Sequence, residues 1–108
     1  MNSVEVTSAW DYMVKNKNYT GTVIDNVSVV RTFKDGLLHD YKGEPAVVYP
    51  SGLRKHFKKG DKHNACGPAI ICSDGSERFF LNGVEYIGKE LWEREAREIK
   101  MGEFLDGK

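Results

Sequence analysis

The chain has few cysteines and prolines, and it has no excess of charge of either sign. Its 108 residues include two cysteines and three prolines, and 16 basic side chains balance 16 acidic ones. A balanced charge produces no overall field that would select nucleic acid or a membrane surface. No apolar run approaches the length of a membrane span, and no basic leader with an apolar run opens the chain. We therefore expect a cytoplasmic protein with no membrane partner.

The two cysteines, Cys66 and Cys72, are too few for a disulfide framework. Disulfides are also rare in cytosolic proteins, so we expect two reduced thiols. The stabilising contacts of this chain must then come from its own packing and from its turns, which the sequence marks clearly.

Eleven glycines punctuate the chain, and several of them recur at matching positions because the sequence repeats itself. Residues 45–63 (PAVVYPSGLRKHFKKGDKH) align without a gap with residues 68–86 (PAIICSDGSERFFLNGVEY), and a weaker copy begins near Gly21. A short fixed period indicates a supersecondary unit that stacks on copies of itself. We expect one domain over residues 1–108, with degenerate hairpin repeats at about 21–43, 44–66 and 67–87.

Two turn signals recur within each copy. The first is Ser51-Gly52 or Asp74-Gly75, and the second is Lys59-Gly60 or Asn82-Gly83. Asp-Gly and Asn-Gly favour tight hairpin turns, because these residues tolerate the positive φ that such turns require. The segments between the turns have the length and the aromatic content of strands. We predict a mainly β (α+β) fold, an antiparallel meander of about six strands, with positive φ at Gly75 and Gly83.

Three phenylalanines occupy one position of the repeat: Phe33, Phe57 and Phe80. Strand residues at equivalent positions share a face of the sheet, so these side chains should form one column. Aromatic side chains dominate small cores, and we expect all three to be largely buried, together with Trp92.

The C-terminal segment changes from strand to helix periodicity. Residues 89–101 contain no glycine or proline, and Trp92 and Ala96 lie on one helical face. Gly102 is a suitable residue to end the helix. We therefore predict a helix from about 89 to 101 that packs its Trp92 face over the sheet.

The N-terminal segment contains a helix-capping signal. Ser8 followed by Asp11 resembles a capping box. Val4-Glu5-Val6 alternates like a strand, so both structures are open for this segment, and we favour a short helix from about 8 to 16.

The second copy carries a signature that resembles a known type of repeat. His63 leads into Gly67-Pro68-Ala69, an aliphatic strand, Asp74-Gly75, an aromatic strand and Asn82-Gly83. This order is similar to MORN-variant-like repeats (LHR-x-DGPA, then DG, then NG) of uncharacterised phage and bacterial proteins. The resemblance spans about residues 36–86 and implies a hairpin architecture. It implies no activity, because the signature residues form turns and pack hairpins.

No motif in the chain indicates catalysis or a cofactor. There is no strained nucleophile elbow and no phosphate-binding glycine loop, so we do not expect an enzyme. His63 and Cys66 have a spacing that zinc ligands use. His39 and His63 are equivalent in the repeat, however, and a repeated histidine is expected to bond a neighbouring turn. We therefore expect no metal and no cofactor.

One hairpin is more basic than the repeat requires. Residues 54–62 are rich in lysine and arginine, whereas the equivalent residues 77–85 are not. Such an excess suits an anion, which could be a nucleic-acid backbone, a lipid headgroup or an acidic protein face. Exposed lysines also discourage pairing between sheet edges. The candidate binding residues are Arg54, Lys55, Phe57, Lys58, Lys59 and Lys62.

Two functions follow from these observations. The first is a small non-enzymatic protein-binding module, which the resemblance suggests is a phage-encoded inhibitor or accessory protein acting on a host protein in the host cytoplasm. The alternative is a nucleic-acid or anion-binding module that uses the basic hairpin 54–62. The balanced net charge favours the first. Reversing Lys55, Lys58 and Lys59 to Glu should weaken binding with little change in thermal stability.

Overall fold

The computed structural model describes residues 2–105, and this part of the chain is mainly β. It contains eleven short strands, with helix α1 at Ala9–Lys15 and helix α2 at Lys89–Leu105. The strands are β1 Ser3–Glu5, β2 Gly21–Ile24, β3 Val30–Lys34, β4 Leu37–Leu38, β5 Val47–Val48, β6 Arg54–Lys55, β7 Phe57–Lys58, β8 Asp61–Lys62, β9 Ile70–Ile71, β10 Glu77–Leu81 and β11 Val84–Tyr86.

Nine of the strands form one mixed sheet. Its order is β1-β2-β3-β5-β6-β9-β10-β11, with β4 paired to β3 beside this path, and β7 and β8 form a separate hairpin. Strand β1 runs parallel to β2, and the other paired strands are antiparallel. The predicted mainly β class is therefore confirmed at this level.

The prediction of a meander with about six strands is wrong in detail. The basic hairpin strand is divided at His56: β6 pairs with β5 and β9, whereas β7 pairs with β8. The single strand predicted here is therefore divided into two. Its first half, β6, joins the large sheet, whereas its second half, β7, forms a hairpin with β8 across the Lys59-Gly60 turn. The parallel strand β1 adds a further departure from a simple meander.

Four tight turns have the same backbone geometry. Each has φ near +50° at the first residue and between +80° and +87° at the second, and the four are Asp35-Gly36, Lys42-Gly43, Lys59-Gly60 and Asn82-Gly83. Positive φ at both residues defines the type I′ hairpin turn that the sequence predicts. The expected positive φ is confirmed at Gly83 and at Gly75, where φ is +91°.

Strand pairing gives the sheet two faces with different side chains. Residues that face each other on neighbouring strands form two rows across the sheet. The first, which we call the front row, alternates aliphatic and basic residues, and the second, the back row, is mostly aliphatic. The front row is Val23, Arg31, Val47, Lys55, Ile70 and Arg78. The back row is Ile24, Val30, Val48, Arg54, Ile71 and Glu77.

Each helix covers a different end of the sheet. Helix α1 begins after Ser8, whose side chain accepts a hydrogen bond from the Asp11 N–H at 3.3 Å, so the predicted N-terminal helix is confirmed. Its Ala9 and Met13 pack with Val23 at the first hairpin.

Helix α2 packs on the last hairpin. Trp92 and Ala96 are buried with Leu81, and Phe79 borders this cluster. The predicted C-terminal helix is confirmed, but the stop predicted at Gly102 is wrong, since the helix continues to Leu105. Gly102 does not have positive φ, and glycine within a helix costs only about 1 kcal/mol relative to alanine.

The aromatic column is only partly as predicted. Phe33, Phe80 and Trp92 are buried, but Phe57 is half-buried. The three phenylalanines belong to three separate apolar clusters, and the cluster with Phe57 contains no helix residue. The three phenylalanines therefore do not form one continuous column. Within residues 2–105, no helix is long and apolar enough to cross a membrane.

Candidate functional site: the lysine cluster at His39

His39 is fixed by hydrogen bonds that the repeat supplies. It follows β4, and its N–H donates to the Thr32 carbonyl at 3.1 Å. Its Nδ1 accepts from the Lys59 N–H at 3.0 Å. Because Nδ1 is the acceptor, the neutral ring carries its proton on Nε2.

The same kind of bond holds two of the other turns, Asn82-Gly83 and Asp35-Gly36. Nδ1 of His63 accepts from the Asn82 N–H at 2.8 Å, and Oγ1 of Thr20 accepts from the Asp35 N–H at 2.9 Å. The prediction that the repeated histidines bond neighbouring turns is confirmed. The side chains of His39, His63 and Thr20 therefore hold the turns, and this structural role requires no positive charge nearby.

Three lysine side chains lie around His39. None of these side chains takes part in the hydrogen bond between His39 and the Lys59 N–H. Lys34 ends β3, Lys58 lies in β7, and Lys59 opens the following turn. Burial is the largest cause that lowers the pKa of His39 from its ordinary value of 6.5. The positive charges of the three lysines lower this pKa further, while Asp40 raises it. We call Lys34, His39, Lys58 and Lys59 the His39 cluster.

His39 also borders three cavities. The cavity of about 310 Å³ includes Lys34 and Lys42, and the cavity of about 260 Å³ includes Lys58 and His63. A third, of about 230 Å³, is lined by Lys34, Asp35, Leu37, His39 and Lys59. The cluster thus lies at accessible concave surface.

Asp40, the acidic neighbour of His39, is held by other groups. Its Oδ1 accepts from the N–H groups of Ala46 and Phe57, each at 2.9 Å. Its Oδ2 lies 2.6 Å from Nδ1 of His56, which is buried. These contacts tie the loop after His39 to the basic hairpin. The Asp40 carboxylate therefore organises the backbone on which the lysines are mounted.

Two of the three lysines have no acidic partner. Within residues 2–102, neither Lys34 nor Lys59 forms an ion pair, and both are exposed. Asp35 is the acidic residue that lines the same cavity as both lysines. The site therefore offers positive charge and an imidazole N–H, which are groups that bind an oxyanion.

The structure separates the six residues that the sequence indicated. Lys58 and Lys59 join the His39 cluster, whereas Arg54 is exposed in the back row. Phe57 packs in an apolar cluster with Val29 and Val47. The hairpin 54–62 is therefore not one continuous basic surface.

The remaining basic residues contact aromatic rings. Nζ of Lys55 lies 5.4 Å from the centre of the Tyr49 ring, and Nζ of Lys62 lies 5.3 Å from that of Phe80. Such cation–π contacts contribute about 0.5–1 kcal/mol at exposed sites. Lys55 belongs to the front row, where Arg31 and Arg78 make similar ring contacts and also pair with Asp25 and Glu85.

Sequence reasoning missed Lys34 and the involvement of His39. Lys34-Asp35-Gly36 aligns with Lys58-Lys59-Gly60, so the two lysines precede equivalent turns. The weaker first copy therefore contained the signal. Lys34 matches Lys58 of the basic hairpin, although Lys34 lies outside residues 54–62.

Metal ligands and thiols offer no second site among residues 2–105. No group of three or more His, Cys, Asp or Glu side chains in this part of the chain could hold a metal ion. Cys66 and Cys72 are free thiols. Comparisons with protein-family models, with curated proteins and with solved structures found no match to this chain.

Proposed function

We propose that this chain is a small non-enzymatic binding module that docks on an acidic face of another protein through the His39 cluster. The observation that carries this proposal is that Lys34, Lys58 and Lys59 each line a cavity that the half-buried His39 also lines. The turn contact of His39 does not need these lysines, since His63 makes the same contact beside Leu81 and Asn82. Positive charge that the fold does not require supports a role in binding.

A protein partner suits the distribution of charge better than nucleic acid does. A nucleic-acid backbone is bound by a continuous basic track. Here Arg54 lies in the back row, Lys55 in the front row, and Lys62 lies over the Phe80 ring. A compact cluster of three lysines complements a local acidic patch and would speed encounter with it.

The partner and the scaffold are proposed from the repeat signature. Repeated hairpins of the MORN-variant type would form a rigid scaffold that presents the type I′ turns side by side. The similarity to such repeats in phages and bacteria suggests a phage-encoded inhibitor or accessory protein. Its partner would then be a host protein in the host cytoplasm.

Capture from bacterial lysate tests this function. The tagged chain is compared with a variant carrying Lys34→Glu, Lys58→Glu and Lys59→Glu, in lysate with and without nuclease treatment. A matched control reverses three exposed cations of α2, Arg94, Arg97 and Lys100. Lys34 replaces Lys55 in this design, because Lys55 contacts Tyr49 in the front row.

We expect one captured host protein to be retained by the parent and by the α2 control but lost by the cluster variant. Thermal midpoints should be similar for all three, since exposed charges contribute little to stability. Capture that survives the cluster reversal would contradict the proposal. Capture that disappears on nuclease treatment would instead indicate the nucleic-acid function.

A further inference from the structure

We infer that the His39 cluster is an oxyanion-binding site, which takes a single carboxylate or phosphoryl group carried by the acidic partner. This inference rests on the proposed function and specifies the chemical group that the module recognises. The site would use the ammonium groups of Lys34 and Lys59 as its principal charges. Lys58 and the imidazole of His39 would complete it.

The geometry supplies charge and a directed donor at one place. Lys34 and Lys59 line the same cavity of about 230 Å³ as His39, whose Nδ1 accepts the turn hydrogen bond. Since the Lys59 N–H occupies Nδ1, the hydrogen on Nε2 of the neutral ring is the one left for a ligand. Ammonium and imidazole donors form charge-assisted hydrogen bonds to oxyanions.

Asp35 is the carboxylate that lines this cavity, where it is an exposed turn residue. Asp40, next to His39 in the chain, accepts three hydrogen bonds from its own surroundings. Lys34 and Lys59 against the one carboxylate of Asp35 leave the lining of the cavity positive.

The equivalent position in the next repeat provides an internal comparison. His63 makes the same turn bond, but Leu81 and Asn82 occupy the positions that Lys58 and Lys59 hold beside His39. The two histidines therefore differ in the residues at their bonded turns, and Lys34 and Lys59 share a cavity with His39. An oxyanion should discriminate between them, whereas a general salt effect should not.

The test is an NMR titration of the labelled full chain that requires no partner. The probes are inorganic phosphate and a blocked tetraglutamate peptide, with sodium chloride at matched ionic strength as the reference. We expect saturable shifts of the Lys59 amide and of the His39 ring, and no saturable shift of the Asn82 amide or the His63 ring. Saturation by phosphate alone would identify a phosphoryl group, and saturation by the peptide would identify a carboxylate.

Variants make the assignment specific. Lys34→Ala with Lys59→Ala should weaken probe binding by about tenfold or more, because each lysine contributes a charged hydrogen bond. Lys55→Ala, in the front row, should leave it unchanged. Absence of saturation with both probes, or equal shifts at His39 and His63, would overturn the inference. Tighter binding of a single-stranded oligothymidylate at the same residues would overturn the protein partner.

The two proposals can fail separately. If partner capture depends on the lysines but neither probe saturates, the charges act as a diffuse patch and the oxyanion site is wrong. If the probes saturate but the lysines do not affect partner capture, the site exists and the proposed function is wrong.

Discussion

At the scale of single residues, His39 and His63 occupy equivalent positions and accept equivalent backbone bonds. They differ in the residues that accompany the bonded turn, which are Lys58 and Lys59 beside His39 and Leu81 and Asn82 beside His63. Protonation of Nδ1 would replace an acceptor by a donor facing the Lys59 N–H. The neutral ring of His39 is thus favoured by burial, by nearby charge and by its turn contact.

We predict that NMR titration will give His39 a pKa below its ordinary value of 6.5. Lys34→Ala should raise this pKa, because it removes one of the charges that oppose protonation, and Lys55→Ala should leave it unchanged. A His39 pKa at or above 6.5 in the parent would contradict the lowering by burial and by the lysines, and an unchanged pKa in Lys34→Ala would show that Lys34 is not close to the ring.

The same shift has a consequence for stability. Because the folded-state pKa is lowered, the contribution of His39 to stability is fully present above the unfolded-state pKa near 6.5. It is lost as the pH falls through the folded-state value. Urea unfolding between about pH 5 and 8 should show a smaller loss of stability in Lys34→Ala than in the parent. An equal loss in both proteins would contradict this coupling.

At Gly36, two segments of the chain approach each other so closely that only glycine fits. Its φ is +84°, and an added Cβ would lie 1.8 Å from the Lys17 carbonyl oxygen. Gly75 has a similar φ of +91°, but a Cβ there would meet open space. Substitutions at these two glycines therefore distinguish the strain of a positive φ from the steric clash of an added Cβ.

We predict that Gly36→Ala destabilises the protein more than Gly75→Ala does. The strain of a non-glycine residue at positive φ costs about 1–3 kcal/mol and is common to both variants. Only Gly36→Ala must also displace the backbone at Lys17. Chemical denaturation measures the difference, and equal losses would show that the two segments can separate at little cost.

Glycine positions were also the part of the structure that the sequence predicted best. The turns at Lys59-Gly60 and Asn82-Gly83 were recognisable because positive φ selects a short list of residues. The contact between Gly36 and Lys17 could not be predicted, since it joins segments that no local pattern relates. The same limit applies to Lys34 and Lys59, which meet only when neighbouring hairpins pack.

At the scale of elements, helix α2 covers the last hairpin as an outer layer. Trp92 is 6% exposed, and its Nε1 donates to the Asn64 carbonyl at 3.1 Å. Its ring lies 4.8 Å from that of Phe79. This one side chain therefore joins the helix to the loop and to the strand beneath it.

We predict that Trp92→Ala lowers the free energy of unfolding by about 3–5 kcal/mol, the range for large aromatic residues in cores. Leu91→Ala is the matched control, because Leu91 precedes it in the same helix but is 45% exposed. Its cost should be below about 1 kcal/mol. Similar losses in the two variants would show that α2 does not pack on the sheet through its Trp92 face.

Helices and strands were predictable to different degrees. The spacing of Trp92 and Ala96 and the cap at Ser8 are local signals, and both helices formed where they indicated. The division of residues 54–58 into β6 and β7 is not local, because it depends on which neighbour each half meets. For the same reason, the sequence could not show the parallel pairing of β1 with β2.

At the scale of the whole molecule, equal numbers of positive and negative side chains conceal an uneven arrangement. In the front row, Arg31 and Arg78 are paired with acidic residues, and Lys55 lies over Tyr49. Lys34 and Lys59, by contrast, have no ion-pair partner within residues 2–102. The net charge therefore underestimates the positive potential at the type I′ turns.

The most direct test of the proposed binding surface is calorimetric titration of the captured and purified host protein over a series of salt concentrations. We predict that the parent binds more weakly as salt rises, because exposed charges are screened. The variant with Lys34→Glu, Lys58→Glu and Lys59→Glu should bind at least about tenfold more weakly at low salt and with a flatter salt dependence. The α2 control with three reversed cations should behave like the parent. Equal affinity and equal salt dependence for the cluster variant and the parent would contradict the account.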